Sequence, residues 1–315
     1  MSWLRYMTIY SFAKFNPDWK IILTLDNNSM KDSPWISNES TNQDFFAYDG
    51  ENYLDNLSEL DIDIRIWKPK FQDLPIRYYD SITMMGEQGF ISRHREEVDQ
   101  IYSGSSFDFA KHISLNEPTV PTDSSPTHRS NFFKWYTLAT EGGIYADMDI
   151  IFLSSINPLF ESLKSYESGI TWDKGYYLIG LMYSQGNNNM FSKIYKAAHY
   201  IFRSDVYQSV GQAALLYTIK SDPRIEYTDE DLLQVTNKQE PICFFDPEII
   251  YPVSFENIGD IFSYGGDEKF FNAHPIGLHW FGGCAPGQEY NNKINKENYL
   301  DYKCPMSKAL EIAMR

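Results

Sequence analysis

The chain has 315 residues, of which 43% are hydrophobic and 16% aromatic, so it can bury a large core and global disorder is excluded. Its formal charge is −16, from 27 Lys and Arg against 43 Asp and Glu, which argues against nucleic acid or an anionic membrane as the main partner. No apolar run of transmembrane length, no signal-peptide pattern and only three well-separated cysteines are found, which predicts a cytoplasmic, soluble protein without structural zinc.

The first third of the sequence alternates between helical and extended patterns. Apolar residues recur at helical spacing over residues 2–15, which predicts an amphipathic helix. Residues 19–25 and 62–67 are predicted to be strands, with loop and short helix between them. Residues 70–115 are predicted to form a helical insertion.

A central stretch from Ser130 to Leu153 organises the sequence. Aromatic and aliphatic residues cover most of a helical surface, so this helix is predicted to be buried on several sides, with Ser130 as its N-cap. Gly142 and Gly143 are predicted to end the helix, because glycine adopts the left-handed conformation readily. A short strand, an acidic triplet and the apolar run that begins at Ile150 follow.

The acidic triplet contains two aspartates, Asp147 and Asp149, separated by one residue. In an extended segment both side chains point to the same face. Two carboxylates on one face repel each other unless a cation lies between them, and Mg²⁺ or Mn²⁺ accepts such oxygen ligands. The apolar surroundings make two unpaired carboxylates costly. The sequence therefore predicts a divalent metal site that can meet a diphosphate; the alternative is a solvated acidic turn.

The second half of the chain continues the alternation of strands and helices. The predicted elements are strands at 169–172, 176–182 and 243–245, an edge segment at 249–252, a helix at 190–200 and a closing helix within 299–315. Alternation of this kind predicts an α/β fold around a mostly parallel sheet, with a ligand at the carboxyl ends of the strands.

A second motif, GLHWFGG, runs from Gly277 to Gly283. His279 ends an apolar segment there and is followed by small residues. Histidine is a common partner of Mn²⁺ beside carboxylates. We therefore hold two interpretations of His279: it completes a metal site with Asp147 and Asp149, or it is a packed core histidine.

The central motif resembles that of the glycosyltransferases with a DXD sugar-binding region on a GT-A type fold. This family includes capsule-type enzymes, yeast initiation mannosyltransferases and the glucosyltransferase domains of clostridial toxins. Its pattern is S-D-x-x-R, an apolar helix, and G-G-x-Y-x-D-x-D. The corresponding residues here are Ser130, Asn131, Lys134, Gly142, Gly143, Tyr145, Asp147 and Asp149. Asn131 replaces the family Asp and Lys134 the family Arg, which removes a bidentate fork toward phosphate.

The resemblance implies one metal-dependent glycosyltransferase domain over residues 1–315, with a Rossmann-like nucleotide-sugar-binding fold of the GT-A type. It implies a UDP- or GDP-linked donor, a saccharide or other acceptor, Mn²⁺ or Mg²⁺ as cofactor, transfer with retention, and a place in polysaccharide biosynthesis. Asp147 and Asp149 would hold the metal with His279, and both aspartates would act in catalysis with Lys134. The implied donor-binding residues are Asn131, Lys134, Tyr145 and Asp147.

The resemblance also implies a strand before the opening helix, which holds the nucleotide base in the family. Such a strand would lie upstream of Met1, or another segment would supply the base contact, or the protein would be impaired.

Two other functions use the same residues. A non-catalytic nucleotide-sugar-binding protein is consistent with the substitutions at Asn131 and Lys134. A haloacid-dehalogenase-like phosphatase also carries D-x-D, with its first Asp as the nucleophile on phosphate. That class needs a hydrophobic strand before the triplet, whereas only Ile144 and Tyr145 stand between the second glycine and Ala146.

Overall fold

The computed structural model describes residues 1–26, 48, 50–73, 113–173, 176–202, 204, 209–221, 226–227, 233–234, 242–265 and 268–315. The α-helices of these residues are, in chain order, α1 (Trp3–Phe15), α2 (Pro126–Thr140), α3 (Asn157–Leu163), α4 (Asn189–Ile201), α5 (Gln212–Ser221), α6 (Gly259–Phe262), α7 (Glu268–Phe271), α8 (Ala285–Lys293) and α9 (Pro305–Met314). None of these helices combines the length and apolar character needed to cross a lipid bilayer.

The strands lie between these helices, and short 3-10 turns occur at Asp55–Glu59, Pro247–Ile249 and Phe255–Asn257. In chain order the strands are β1 (Ile21–Asp26), β2 (Ile62–Trp67), β3 (Lys70–Gln72), β4 (Thr119–Pro121), β5 (Gly143–Ala146), β6 (Ile150–Phe152), β7 (Ser168–Asp173), β8 (Tyr176–Ser184), β9 (Glu226–Tyr227), β10 (Leu233–Gln234), β11 (Ile242–Phe245) and β12 (Gly277–His279). The predicted α/β class is confirmed, and the mixture is consistent with a GT-A type fold.

The chain divides into two compact units. The first unit contains residues 1–68, 146–164 and 245–315, and the second contains residues 69–145 and 165–244. The assignment of residues 1–315 to a single domain stays a prediction.

In the first unit, α1 packs against β6 and α9. Much of α1 is buried, including Trp3, Leu4 and Met7, which are all less than 4% exposed. β6 pairs with β12 in antiparallel register, and β1 pairs with β2 in parallel register. The predicted opening helix, the strand at 62–67 and the closing helix are confirmed, with the closing helix beginning at Pro305.

In the second unit, α2 packs against α4, β4 and β8, and α4 packs against α5. A four-stranded sheet has the order β11-β7-β8-β5, with β7 and β8 antiparallel. Phe132 and Trp135 of α2 have no exposed surface, and the Trp135 indole N–H donates to the Val210 carbonyl at 2.6 Å. The prediction of a helix buried on several sides is confirmed.

The N-cap of α2 differs from the prediction. Ser125, not Ser130, is the N-cap, and Ser130 lies inside the helix. The Ser125 hydroxyl accepts the His128 N–H at 3.2 Å, and the His128 ring accepts the Ser125 N–H at 3.3 Å. Proline at the first helical position favours this earlier start, since the ring presets φ and lacks an N–H that would go unpaired.

Three further predictions need correction. Both parallel and antiparallel pairs occur among the described strands, so the sheets are mixed and not mostly parallel. The predicted insertion at 70–115 begins with strand β3, which pairs with β4 in parallel, and its residues 74–112 lie outside the described part. The expected edge at 249–252 follows a 3-10 turn and is not a strand.

We expect Gly142→Ala to destabilise the protein more than Gly143→Ala. Both glycines have a left-handed backbone, with φ of 77° and 101°. A Cβ on Gly142 would lie 2.3 Å from the Gly186 backbone nitrogen, whereas no described atom lies within 4 Å of a Cβ on Gly143. Strain alone predicts a loss of about 1–2 kcal/mol for Gly143→Ala, and the backbone clash about 1–3 kcal/mol more for Gly142→Ala.

Urea unfolding of the two variants measures this difference directly. Gly143→Ala serves as the control for the conformational cost. Equal free energies of unfolding for both variants would show that the Gly186 contact relaxes without cost.

Candidate metal centre

Three potential metal ligands come together in the first unit. One ligand atom from each of Asp147, Asp149 and His279 lies within 4.8 Å of the others. The pairing of β12 with β6 accounts for this, because it sets His279 opposite Ile150, the residue after Asp149. The Trp280 N–H continues the pairing by donating to the Asp149 carbonyl at 2.9 Å. The strand register therefore brings the two sequence motifs into one site.

The acidic triplet is a turn and not an extended segment. β5 ends at Ala146, and a turn at Met148 and Asp149 precedes β6. The alternation of an extended chain is therefore not what brings the two carboxylates together. The local prediction was wrong in its geometry, although the two aspartates do approach each other.

Helix α1 holds the turn and the strand that follows it. The Thr8 hydroxyl donates to the Met148 carbonyl at 3.1 Å, and the Ser11 hydroxyl accepts the Phe152 N–H at 3.0 Å. Thr8 and Ser11 are both buried. Because these bonds form away from water, they fix the backbone on both sides of Asp149.

The two oxygens of the Asp149 carboxylate have different surroundings. Oδ2 accepts the Gly282 N–H at 2.8 Å. Oδ1 lies 3.1 Å from His279 Nε2, but it is buried and makes no hydrogen bond of good geometry with any described atom. A Cβ on Gly282 would lie 2.8 Å from two ring carbons of Trp280, so glycine allows this approach. One oxygen is thus committed to the backbone, and the other lacks a hydrogen bond.

The pKa of Asp149 reflects a balance of opposing effects. Burial by itself raises the pKa of this carboxyl group. Positive charge on His279, the nearby Arg5 guanidinium and the Gly282 N–H outweigh burial and hold the pKa at about 2. Asp149 is therefore ionised at neutral pH, which a cation ligand requires.

His279 lies between aromatic rings. Its ring centroid is 4.8 Å from that of Tyr251 and 4.4 Å from that of Phe281. Nδ1 accepts the Phe281 N–H at 3.2 Å. Phe281 has φ of 50°, a left-handed conformation that is uncommon for a bulky residue. His279 is 7% exposed, so the ring orientation is set by these contacts.

The carboxylates suit a divalent cation. In octahedral coordination with ligand distances near 2.1 Å, adjacent ligands stand about 3.0 Å apart. Asp149 Oδ1 is buried without a hydrogen bond, and a carboxylate oxygen in this state can serve as a ligand of a divalent cation. Asp147 is half-buried and adds a second carboxylate.

The other predicted site residues belong to the second unit. Lys134 is 2% exposed; its ammonium donates to the Ile179 carbonyl at 3.0 Å and lies 4.7 Å from the centroid of the Tyr145 ring. Asn131 is 5% exposed. The structure thus brings Lys134 and Tyr145 into contact, and it brings the two aspartates and His279 together.

Several contributors to the site escaped prediction. Thr8, Ser11 and Arg5 sit on a helix that was interpreted only by its apolar pattern, and a hydroxyl that bonds a distant carbonyl leaves no sequence signal. Gly282 did carry a signal, because glycines following a candidate ligand allow close approach of the backbone.

The chain is similar to one protein family and to a solved glycosyltransferase structure. Residues 5–166, just over half of the chain, match the family described as "Glycosyltransferase sugar-binding region containing DXD motif". A solved structure, PaToxG Glycosyltransferase, is similar over 70% of this chain and 63% of that chain, with 12% identity and a TM-score of 0.36. The chain thus spans less than two thirds of that structure. No curated protein sequence matches the chain.

The matched region contains the apolar helix α2, the two glycines, Tyr145 and both aspartates of the candidate metal centre. The chain belongs to the glycosyltransferase family that is defined by the DXD-containing sugar-binding region.

Proposed function

We propose that this protein transfers a sugar from a nucleotide-diphosphate sugar to an acceptor and depends on a divalent cation held at Asp147 and Asp149. The observation that carries the proposal is the buried Asp149 Oδ1, which lacks a hydrogen bond and lies in the D-x-D turn beside the second carboxylate. His279 lies against the same carboxylate. A bound divalent cation would neutralise charge on the departing nucleoside diphosphate.

Lys134 is proposed to stabilise negative charge on the donor phosphates. A buried ammonium is costly unless it is compensated, and here the Ile179 carbonyl and the Tyr145 ring supply compensation. In a site of low dielectric constant, such a charge acts strongly on a phosphate.

Asn131 is proposed to bind a hydroxyl group of the donor. Asn131 is 5% exposed and lies on the same helix as Lys134, at the position of the aspartate in the family pattern. A sugar or ribose hydroxyl can both donate to the amide oxygen and accept from the amide nitrogen. Tyr145 is proposed to act through Lys134, whose ammonium it holds.

The finer features of the activity are proposals that rest on the family resemblance. They are a UDP- or GDP-linked donor, Mn²⁺ or Mg²⁺ as the cation, transfer with retention, and a place in polysaccharide biosynthesis. A cytoplasmic location is proposed from the sequence composition.

We expect Asp149→Asn to abolish metal-dependent release of nucleoside diphosphate. Loss of the carboxylate charge removes the principal buried ligand and should lower the rate on the order of 100-fold or more. The measurement is hydrolysis of a panel of UDP- and GDP-sugars, with and without Mn²⁺, for wild type, Asp147→Asn and Asp149→Asn. Glu256→Gln, which removes an exposed charge from the same unit, is the matched control.

The panel separates the proposed transferase from its alternatives. Donor binding without turnover would indicate a nucleotide-sugar-binding protein. Release of phosphate from simple phosphomonoesters, with loss of that activity in Asp147→Asn, would indicate a phosphatase. Metal-independent turnover that survives Asp149→Asn would contradict the proposed role of the D-x-D turn.

We expect Lys134→Met to lower donor turnover on the order of 100-fold in protein that remains folded, because it removes the positive charge proposed to act on the donor phosphates. Methionine has a similar shape, so it keeps the apolar contacts and removes a desolvated charge. Turnover and thermal unfolding should be measured together. Lys196→Met, on the half-buried face of α4, is the control for loss of a lysine charge. If the variant loses activity because it is unfolded, its stability and its turnover fall together, which would contradict this expectation.

A further inference from the structure

We propose that the guanidinium of Arg5, on helix α1, binds the diphosphate group of the donor beside the divalent cation. The inference rests on the proposed function, since the donor and the cation are those proposed above. Arg5 belongs to the same compact unit as Asp147 and Asp149. Its position on α1, its half-buried side chain and its charge carry the inference.

Arg5 lies on the side of α1 that meets the D-x-D turn. Thr8 follows it by three residues, and residues at this spacing share one face of a helix. The Thr8 hydroxyl donates to the Met148 carbonyl at 3.1 Å, and Met148 stands between the two aspartates in the sequence. The first turn of α1 is capped by Ser2, whose hydroxyl accepts the Arg5 N–H at 3.4 Å. Arg5 therefore extends from an ordered helical turn next to the metal centre.

The charge of Arg5 acts on Asp149. Burial raises the pKa of the Asp149 carboxyl group, and positive charge on His279 and on Arg5 is among the effects that lower it to about 2. An interaction between charges weakens with distance and is screened by water. The effect on a buried carboxylate therefore agrees with the helical position in placing the guanidinium close to the D-x-D turn.

The side chain of Arg5 has donors to spare. It is half-buried, yet it makes no hydrogen bond or ion pair with any residue that the structure describes. By contrast, Arg65 of the same unit pairs with Asp63 at 3.0 Å, and Arg315 pairs with Glu311 at 2.6 Å. A guanidinium carries five N–H donors in a fixed fork. Those of Arg5 remain available to a ligand with several acceptor oxygens.

The helix end adds to the preference for an anion. Arg5 is the third residue of α1, and the first turn of this helix contains no acidic residue. The free N–H groups at the start of a helix carry partial positive charge, so a cation there is unfavourable by itself. An anion bound by Arg5 would gain from both sources of positive charge.

Charge balance at the metal centre identifies the anion. The two carboxylates of Asp147 and Asp149 cancel the charge of one divalent cation, so they leave nothing to offset the phosphates of a donor. A diphosphate presents paired oxygens that match the fork of an arginine. Arg5 would supply the missing positive charge, and it would repel the cation when no diphosphate is bound. Its effects on cation binding and on diphosphate binding therefore have opposite signs.

The test is calorimetric titration of wild type and Arg5→Met with Mn²⁺ alone, and then with UDP, GDP and pyrophosphate in the presence of Mn²⁺. We expect the diphosphates that bind wild type to bind the variant about 10- to 100-fold more weakly, because charged hydrogen bonds are lost. Mn²⁺ alone should bind the variant as well as wild type or more tightly, because a nearby positive charge is gone. Arg65→Met is the matched control and should change neither affinity.

Two results would overturn the inference. One is an unchanged affinity of Arg5→Met for the diphosphates. The other is weaker binding of Mn²⁺ alone, which would show that Arg5 supports Asp149 and does not serve the donor. Thermal unfolding checks that the variants are folded. Arg5→Gln, which is neutral but polar, is a second variant judged by the same two affinities if Arg5→Met does not fold.

Failure of the inference and failure of the proposed function give different results. If Mn²⁺ does not bind wild type, the proposed metal dependence fails, and pyrophosphate binding by metal-free wild type and Arg5→Met still decides the role of Arg5. If Mn²⁺ binds wild type and Asp149→Asn removes it, the metal centre stands. The role of Arg5 is then wrong if no diphosphate binds wild type, or if the diphosphates bind Arg5→Met equally well.

Discussion

The structure of the site depends on buried polar groups of the opening helix that hold the D-x-D segment. Thr8 and Ser11 bond the backbone at Met148 and Phe152, and Asn16 Oδ1 accepts the Ile156 N–H at 2.8 Å. Thr8 and Ser11 lie on α1, whose other buried residues are apolar or aromatic, and Asn16 is the C-cap of that helix. Apolar packing holds α1 against β6. The three polar contacts then fix the position of the segment from Met148 to Ile156 along the helix. A turn that carries two like charges is stabilised by this restraint from both sides.

The second constraint is the antiparallel pairing of β12 with β6, the strand that directly follows the acidic triplet. The chain between β6 and β12 is long, and bringing its ends together costs entropy, which grows only slowly with loop length. The hydrogen bonds between the two strands and the burial of the apolar side chains of β6 offset this cost. The ladder also gives His279 and Asp149 neighbouring positions. Once the strands are in register, the turn after β12 places the Gly282 N–H on the carboxylate. The geometry of the carboxylate therefore follows from backbone structure more than from its own rotamer.

Much of the fold and part of the site could be predicted because the signals are local. Apolar periodicity marks helices such as α1 and α4, and D-x-D followed by an apolar run marks the acidic turn. The start of α2 was misplaced because Ser130 and Ser125 both qualify as caps, and only Pro126 distinguishes them. Strand direction, the turn at Asp149 and the amide contacts depend on residues far apart in sequence. No local pattern encodes these contacts, because any residue other than proline supplies the same N–H.

The same absence of a sequence signal explains why the role of His279 depends on structure. From the sequence, a histidine between apolar and small residues is equally a ligand or a core residue. The contacts of the ring come from the structure: the Phe281 N–H donates to Nδ1, and Nε2 lies 3.1 Å from Asp149 Oδ1. Asp149 shows the same principle, since one oxygen is occupied by an amide and the other lacks a hydrogen bond. A site assembled in this way has its electrostatic preference set before a ligand arrives, because fixed backbone dipoles need no reorganisation.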